Sequence, residues 1–261
     1  MRKSIGFIGG GKVTRLLLRG FDNKKIKFKK VIVADSNPVV LDSLRNEFSF
    51  IKSDSAAAAA SQDIVFLGLD QKLTMDTLGL ISNEFDENSI LISTVPDINF
   101  AKLAIRLPEN NRLARTLPPA AVYINEALIP VAFSPAFPEG AKDDVFELFN
   151  YLGRALEVPE EKLQTYSAFS SVLPAYFWYQ WKELISMGRE LGLNERETVD
   201  FLSESTISSL HLAHRSDLTE DQVIDILPVS PLDDDEDLIR DEYRSRLVEL
   251  YRRVNPQRAE V

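Results

Sequence analysis

The sequence predicts an α/β fold, an N-terminal Rossmann-type domain followed by an all-helical domain. Three observations carry this. A short apolar run, residues 5–8, ends in Gly9-Gly10-Gly11 and leads into a helix-like run, 13–19, containing Leu16, Leu17 and Leu18. Buried-type strand patterns then alternate with helical ones through the first half, the signature of a parallel sheet with helices on both faces. After about Val158 the strand signals stop and long helical patterns take over. The expected division is residues 1–157, a dinucleotide-binding domain, and 158–261, a helical dimerisation and substrate domain.

The pattern Gly9-x-Gly11-x-x-Thr14 is a dinucleotide fingerprint with its last position changed. The first glycine permits a sharp turn. The second carries no side chain, so the backbone can approach a pyrophosphate. The helix that follows presents free N–H groups and a partial positive charge to that anion. Glycine clusters also make ordinary strand–helix turns. Here the motif stands at the start of the chain, and a second strand, 31–34, ends in Asp35, 24 positions after Gly11. The expected cofactor contacts are Gly9, Gly11, Lys12 and Val13 at the turn, Asp35 and Ser36 after strand two, Leu69 and Asp70 after a later strand, and Thr94 after the next.

The remaining elements follow in order. Pro38 and an amphipathic stretch from Val39 predict a helix, and residues 48–51 a third short strand. Asp54-Ser55 before five alanines reads as a capped helix packed close to the sheet, because alanine is the best helix former and Ser and Asp suit N-caps. Residues 63–67 and 89–93 are buried-type strands flanking a helix at 74–85, and 113–117 and 127–133 read as the last strands. Helices are expected at 160–170, 174–191, 195–214, 219–226 and 238–254, with Gly192 as a C-cap and Asn194 opening the next helix. The helix 174–191 carries Tyr176, Phe177, Trp178, Tyr179, Trp181, Leu184, Ile185 and Met187, so it is apolar on most sides. Such a helix must be buried; a homodimer through the C-terminal helices would bury it, and cover by the dinucleotide-binding domain is the alternative.

Bulk properties exclude several classes. The 261 residues suffice for two modest domains. There is no cysteine, which excludes disulfides, thiolate metal sites and a cysteine nucleophile. His211 and His214 are the only histidines, so no His-rich metal site is expected, and both read as helix-surface residues. The net charge of −10 and a pI near 4.9 repel nucleic acid and anionic membranes on average. The one basic stretch, Lys24-Lys25-Ile26-Lys27-Phe28-Lys29-Lys30, reads as a solvated loop. No secretory signal or membrane-spanning run is visible, and a cytoplasmic location is expected.

The chain resembles the pyrroline-5-carboxylate reductases along nearly its full length. The likeness rests on Ile5-Gly-Phe-Ile-Gly-Gly-Gly-Lys-Val13, Val65-Phe66-Leu67, Ile92-Ser93, Arg115-Thr-Leu-Pro118, Glu126, Ala168-Phe-Ser-Ser-Val-Leu-Pro-Ala-Tyr176 and the stretch from Glu183 to Leu193. The resemblance implies NAD(P)H-dependent hydride transfer to the carbon of a cyclic C=N bond, with Glu126, Ser170 and Tyr176 near the substrate; no catalytic residue is assigned. Three departures bear on the substrate. Pro118-Pro119-Ala120-Ala121 replaces a polar Pro-Asn-Thr-Pro, Ser170-Ser171-Val172-Leu173 lacks two glycines, and Ser230-Pro231 continues as Leu232-Asp-Asp-Asp-Glu-Asp237 where the family has Gly-Gly-Thr-Thr. Five acidic residues repel a carboxylate substrate. They also suit a helix N-terminus. Asp35-Ser36, without the arginine that suits a 2′-phosphate, favours NAD over NADP. Asp70-Gln71 stands where the family often has Lys-Pro. A nucleotide-binding homologue without catalysis is the alternative reading.

Overall fold

The computed structural model describes residues 2–107, 112–226 and 232–254. The chain forms two compact units, Met1–Ser171 and Val172–Val261.

The first unit is built on one eight-stranded sheet in the order β3-β2-β1-β4-β5-β6-β7-β8. The strands are β1 (Ser4–Ile8), β2 (Lys30–Ala34), β3 (Lys52–Ser53), β4 (Ile64–Leu67), β5 (Ile90–Ser93), β6 (Arg112–Thr116), β7 (Ala127–Phe133) and β8 (Gly153–Glu157). The helices are α1 (Lys12–Asn23), α2 (Pro38–Glu47), α3 (Ala56–Ala60), α4 (Gln71–Ile81), α5 (Phe100–Ala104), α6 (Glu139–Asn150) and α7 (Leu163–Ser167). Strands β1 to β6 pair in parallel.

Successive strand side chains point to opposite faces, and both faces here are apolar. Ile5, Phe7, Val31, Val33, Ile64 and Phe66 join Leu17, Leu18 and Phe21 of α1 and Val145, Leu148 and Phe149 of α6 in one core. Ile8, Ile32, Val65, Leu67 and Leu91 join Ala59, Leu78, Leu103 and Leu163 in the other. This two-sided burial gives the strands their continuous apolar runs. The alanine helix α3 sits as close to the sheet as its sequence suggests. A methyl group on Gly6 of β1 would overlap the carbonyl of Ala59. Ser55 caps the helix by accepting from Ala58 N at 3.2 Å.

The structure corrects several expectations from the sequence. Residues 48–51 are not a strand. The Phe48 N–H bonds Leu44 O at 2.8 Å and closes α2, and the strand that follows is only Lys52–Ser53. Phe48 and Ile51 are apolar because they are buried in the core beneath the turn. The sheet is not wholly parallel, because β7 runs antiparallel to β6 and β8 parallels β7. The segment between β6 and β7 holds only a short 3-10 turn, Ala120–Ile124, too little chain for a parallel crossover. Strand β8 and helices α5 and α6 went unread in the sequence. The helical run expected at 160–170 is a 3-10 turn (Glu160–Lys162), α7, and a π-helical segment, Ala168–Val172.

The contact division falls after Ser171, past the change of texture at Val158, because Val158 and Leu163 are buried in the second core of the sheet.

The second unit contains α8 (Leu173–Glu190), α9 (Glu195–Arg215), α10 (Glu220–Ile226) and α11 (Glu236–Val254). Gly192, with φ of 95°, ends α8 as expected. The Leu193 N–H reaches back to Gly188 O at 2.9 Å. Asn194 opens α9 with a capping box to Glu197. Helix α8 packs on α9 so closely that Gly188 lies against Thr198.

Candidate functional site

The site is built where β1 ends and α1 begins. Gly9 has φ of 101°, a conformation that L side chains rarely adopt, and a methyl group there would overlap the Gly68 backbone. Its N–H bonds Ala34 O at 2.8 Å, tying the turn to the end of β2. Gly11 is the N-cap residue of α1 and no side chain caps that end. An uncapped helix start leaves backbone N–H groups without intrahelical partners, and Lys12 and Val13 are the residues that carry them. A methyl group on Gly11 would meet nothing within 4 Å. The turn therefore presents open space, free donors and the positive end of a helix dipole, which together suit a pyrophosphate.

The altered third fingerprint position is accommodated by a hydrogen bond. Thr14 is buried, and its Oγ1 donates to Gly9 O at 2.5 Å. Across the turn, Gly68 continues β4, and its N–H bonds Ile8 O at 2.9 Å. A methyl on Gly68 would touch Thr94 Oγ1 and Thr14 Oγ1. Thr94 is held by its own N–H and hydroxyl, both donating to Leu67 O, at 2.9 and 3.0 Å. Gly68 was not read as a site residue. Its only sequence signal was its place just after a buried strand.

Asp35 stands at the end of β2 as expected. Its Oδ2 accepts from Gly10 N at 2.7 Å and its Oδ1 from Asn37 N at 2.8 Å. One carboxylate thus spans the glycine turn and the start of α2, with lone pairs left to accept further donors. Ser36 is exposed beside it. Leu69 lies against Gly9. Asp70 is exposed and caps α4, accepting from Lys72 N at 2.9 Å. The structure thus gathers Gly9, Gly11, Lys12, Val13, Asp35, Leu69 and Thr94 around one turn, and uses Asp70 as a helix cap.

The comparisons with known proteins bear on this site. The family model for NADP oxidoreductase, coenzyme F420-dependent, matches residues 4–97, the segment that builds it. Pyrroline-5-carboxylate reductase from Staphylococcus saprophyticus is 25% identical over 227 residues, covering 83% of this chain and 81% of that protein. The Mycobacterium tuberculosis pyrroline-5-carboxylate reductase is 24% identical over 211 residues, covering 78% and 72%. The chain is thus similar over most of its length to pyrroline-5-carboxylate reductases. Two solved reductases share its fold. The 1-pyrroline-5-carboxylate reductase of Streptococcus pyogenes superposes with a TM-score of 0.77 at 18% identity, covering 100% of this chain and 99% of that one. The NADP-bound Plasmodium falciparum pyrroline carboxylate reductase gives 0.76 at 19%, covering 98% and 97%. The likenesses found are thus to NAD(P)-dependent oxidoreductases.

The positions that the reductase likeness assigns to substrate fall in other elements. Glu126 is exposed near the far end of α1, where neighbouring Asn125 bonds Gly20 O at 2.7 Å. Ser170 lies in the π-helical segment and donates to Ser167 O at 3.3 Å. Tyr176 belongs to the second unit, and its ring meets Tyr243 of α11 at 5.5 Å. Of the acidic run, Asp234, Asp235, Glu236 and Asp237 are exposed where α11 begins, and Glu236 and Asp237 pair with Arg240. Ser230 and Pro231 lie outside the described residues. His211 and His214 are exposed on α9. Among the described residues no group of His, Asp and Glu could hold a metal ion, and no helix is long and apolar enough to cross a membrane.

Proposed function

We propose that this reductase-like protein binds NAD(H) and transfers hydride to a C=N (or C=O) carbon of a small substrate other than the family's usual one. One observation carries the cofactor half: the uncapped, sterically open Gly11 turn, bracketed by Gly9 and Asp35. When bound, the nicotinamide supplies the hydride. The chain's own part is to hold and orient. Backbone N–H groups of Gly11, Lys12 and Val13 face the pyrophosphate. Asp35 accepts from the ribose hydroxyls, and its charge repels a 2′-phosphate. That favours NAD over NADP, in contrast to the NADP-bound Plasmodium relative. If so, Asp35→Ala erodes the preference for NADH over NADPH, and an unchanged preference refutes the assignment.

The altered substrate is inferred from the α11 entrance. Exposed carboxylates at 234–237 stand where the family has Gly-Gly-Thr-Thr, so a carboxylate ligand would meet repulsion there. The same observation favours a second reading, a nucleotide-binding homologue without catalysis. Oxidation of NADH in the presence of a panel of cyclic imines and keto acids separates the two. Turnover with any of them supports the reductase, and saturable NADH binding without turnover supports the second reading.

The protein is further proposed to be a homodimer through its C-terminal helices. Trp178 is 62% exposed, Tyr179 79% and Phe201 69%, and Leu184 and Met187 are also exposed. Such a concentration of bare aromatic and aliphatic side chains marks an interaction surface.

A further inference from the structure

The basic stretch of the sequence is an exposed loop between α1 and β2, as expected, and its lysines share a hollow. Lys25, Lys27, Lys29, Lys30 and Lys52 line a hollow of ≈ 550 Å³, with Phe28 and Phe50 in its wall. A second hollow of ≈ 360 Å³ adjoins it, lined by Arg2, Lys27, Phe28 and Lys29. Lys30 opens β2, Lys52 opens β3 and Lys25 follows α1. The hollow therefore lies at the opposite end of α1 from the glycine turn, about 18 Å away for twelve residues at 1.5 Å each.

Five lysines share this hollow with one acidic residue, Asp22, whose carboxylate faces Arg19 at 3.7 Å. None of the five makes an ion pair among the described residues, where Lys3 and Lys142 are the lysines that do. This happens in a chain with 40 acidic and 30 basic residues, where carboxylates are plentiful. Lys25 also holds a left-handed φ of 52°, a position that glycine fills with less strain. Lys29 also acts on the Asp63 carboxylate, but positive charge concentrated in a concave site attracts a compact anion. Small-molecule sites occupy the same range of volumes. Phe50, 36% exposed, adds an aromatic face on which a planar base can stack. An extended nucleic acid or an anionic membrane would meet the acidic remainder of the surface.

We propose that this hollow is a second ligand site, separate from the dinucleotide turn, that takes a nucleoside polyphosphate. The lysines hold the phosphates and Phe50 stacks on the base.

Calorimetric titration of the full chain with ATP and with inorganic tripolyphosphate tests this, with hydrogen–deuterium exchange to locate the ligand. Both probes should bind and protect peptides covering 24–30 and 50–52. Lys27→Glu/Lys52→Glu should weaken both by roughly tenfold or more, since each reversal removes an attraction and adds a repulsion. Lys27→Gln/Lys52→Gln serves if the reversed variant misfolds. Phe50→Ala should weaken ATP while leaving tripolyphosphate unchanged. No binding at millimolar probe overturns the proposal. So does protection confined to residues 8–13, unaltered affinity in the lysine variants, or tighter binding of a short single-stranded oligonucleotide at the same peptides.

Discussion

Gly9 and Gly11 are two residues apart and do different work. Gly9 is required by the fold, through its φ of 101° and the Gly68 backbone that a side chain there would overlap. Gly11 has ordinary backbone angles and empty space above it, so its missing side chain matters to a ligand. Gly9→Ala should therefore destabilise the protein by about 2 kcal/mol or more. Gly11→Ala should change stability by less than about 1 kcal/mol yet weaken NADH binding by roughly tenfold or more. Thermal unfolding and NADH fluorescence titration of the two variants check this pair of outcomes. These glycines and Asp35 were legible in the sequence because turn, strand end and spacing are local. Gly68 and the Thr14–Gly9 bond were not, since they depend on which strand lies beside β1. Asp63 gives a pH test at the same scale. Burial works to raise its pKa, but the Ser4 N–H and hydroxyl, at 2.6 and 2.7 Å, with Lys3 and Lys29, lower it overall below 3.8. A depressed carboxylate stabilises the fold above its unfolded pKa, and that contribution is lost as pH falls through the folded value. Stability should thus drop below about pH 4, and Asp63→Asn should flatten part of the drop in acid-denaturation curves.

Among the elements, those with two buried faces or a strong helical period were readable, and those held by long-range contacts were not. Strand β8 is an edge with little buried surface, so it lacks the apolar run that marks β4 or β5. The apolar residues 48–51 read as a strand because burial in a turn and burial in a sheet look alike in sequence. The join after β5 is another long-range device. Arg115 of β6, 4% exposed, bonds Glu160 at 2.7 Å and Pro96 O at 2.7 Å, while the same Glu160 oxygen accepts from Phe100 N at the start of α5. Arg115→Met should leave the Glu160 carboxylate without its charged partner and cost about 3 kcal/mol in urea unfolding.

For the molecule as a whole, the ends of the chain differ in kind. The sheet unit buries its apolar residues on both faces, and the helical unit leaves many of its own exposed. The composition of α8 marks a helix that needs cover, and within one chain most of that helix stays exposed. Sedimentation at micromolar concentration should show a dimer, and Trp178→Glu/Tyr179→Glu should shift it to monomer; a monomeric parent protein would refute the dimer. The central claim is that the Gly9–Gly11 turn holds a nicotinamide dinucleotide, and the most direct measurement is a fluorescence titration of the full chain with NADH. Saturable binding to the parent protein, lost in Gly11→Ala at unchanged unfolding temperature, is the expected result. Absence of saturable binding, or binding indifferent to that substitution, would contradict it.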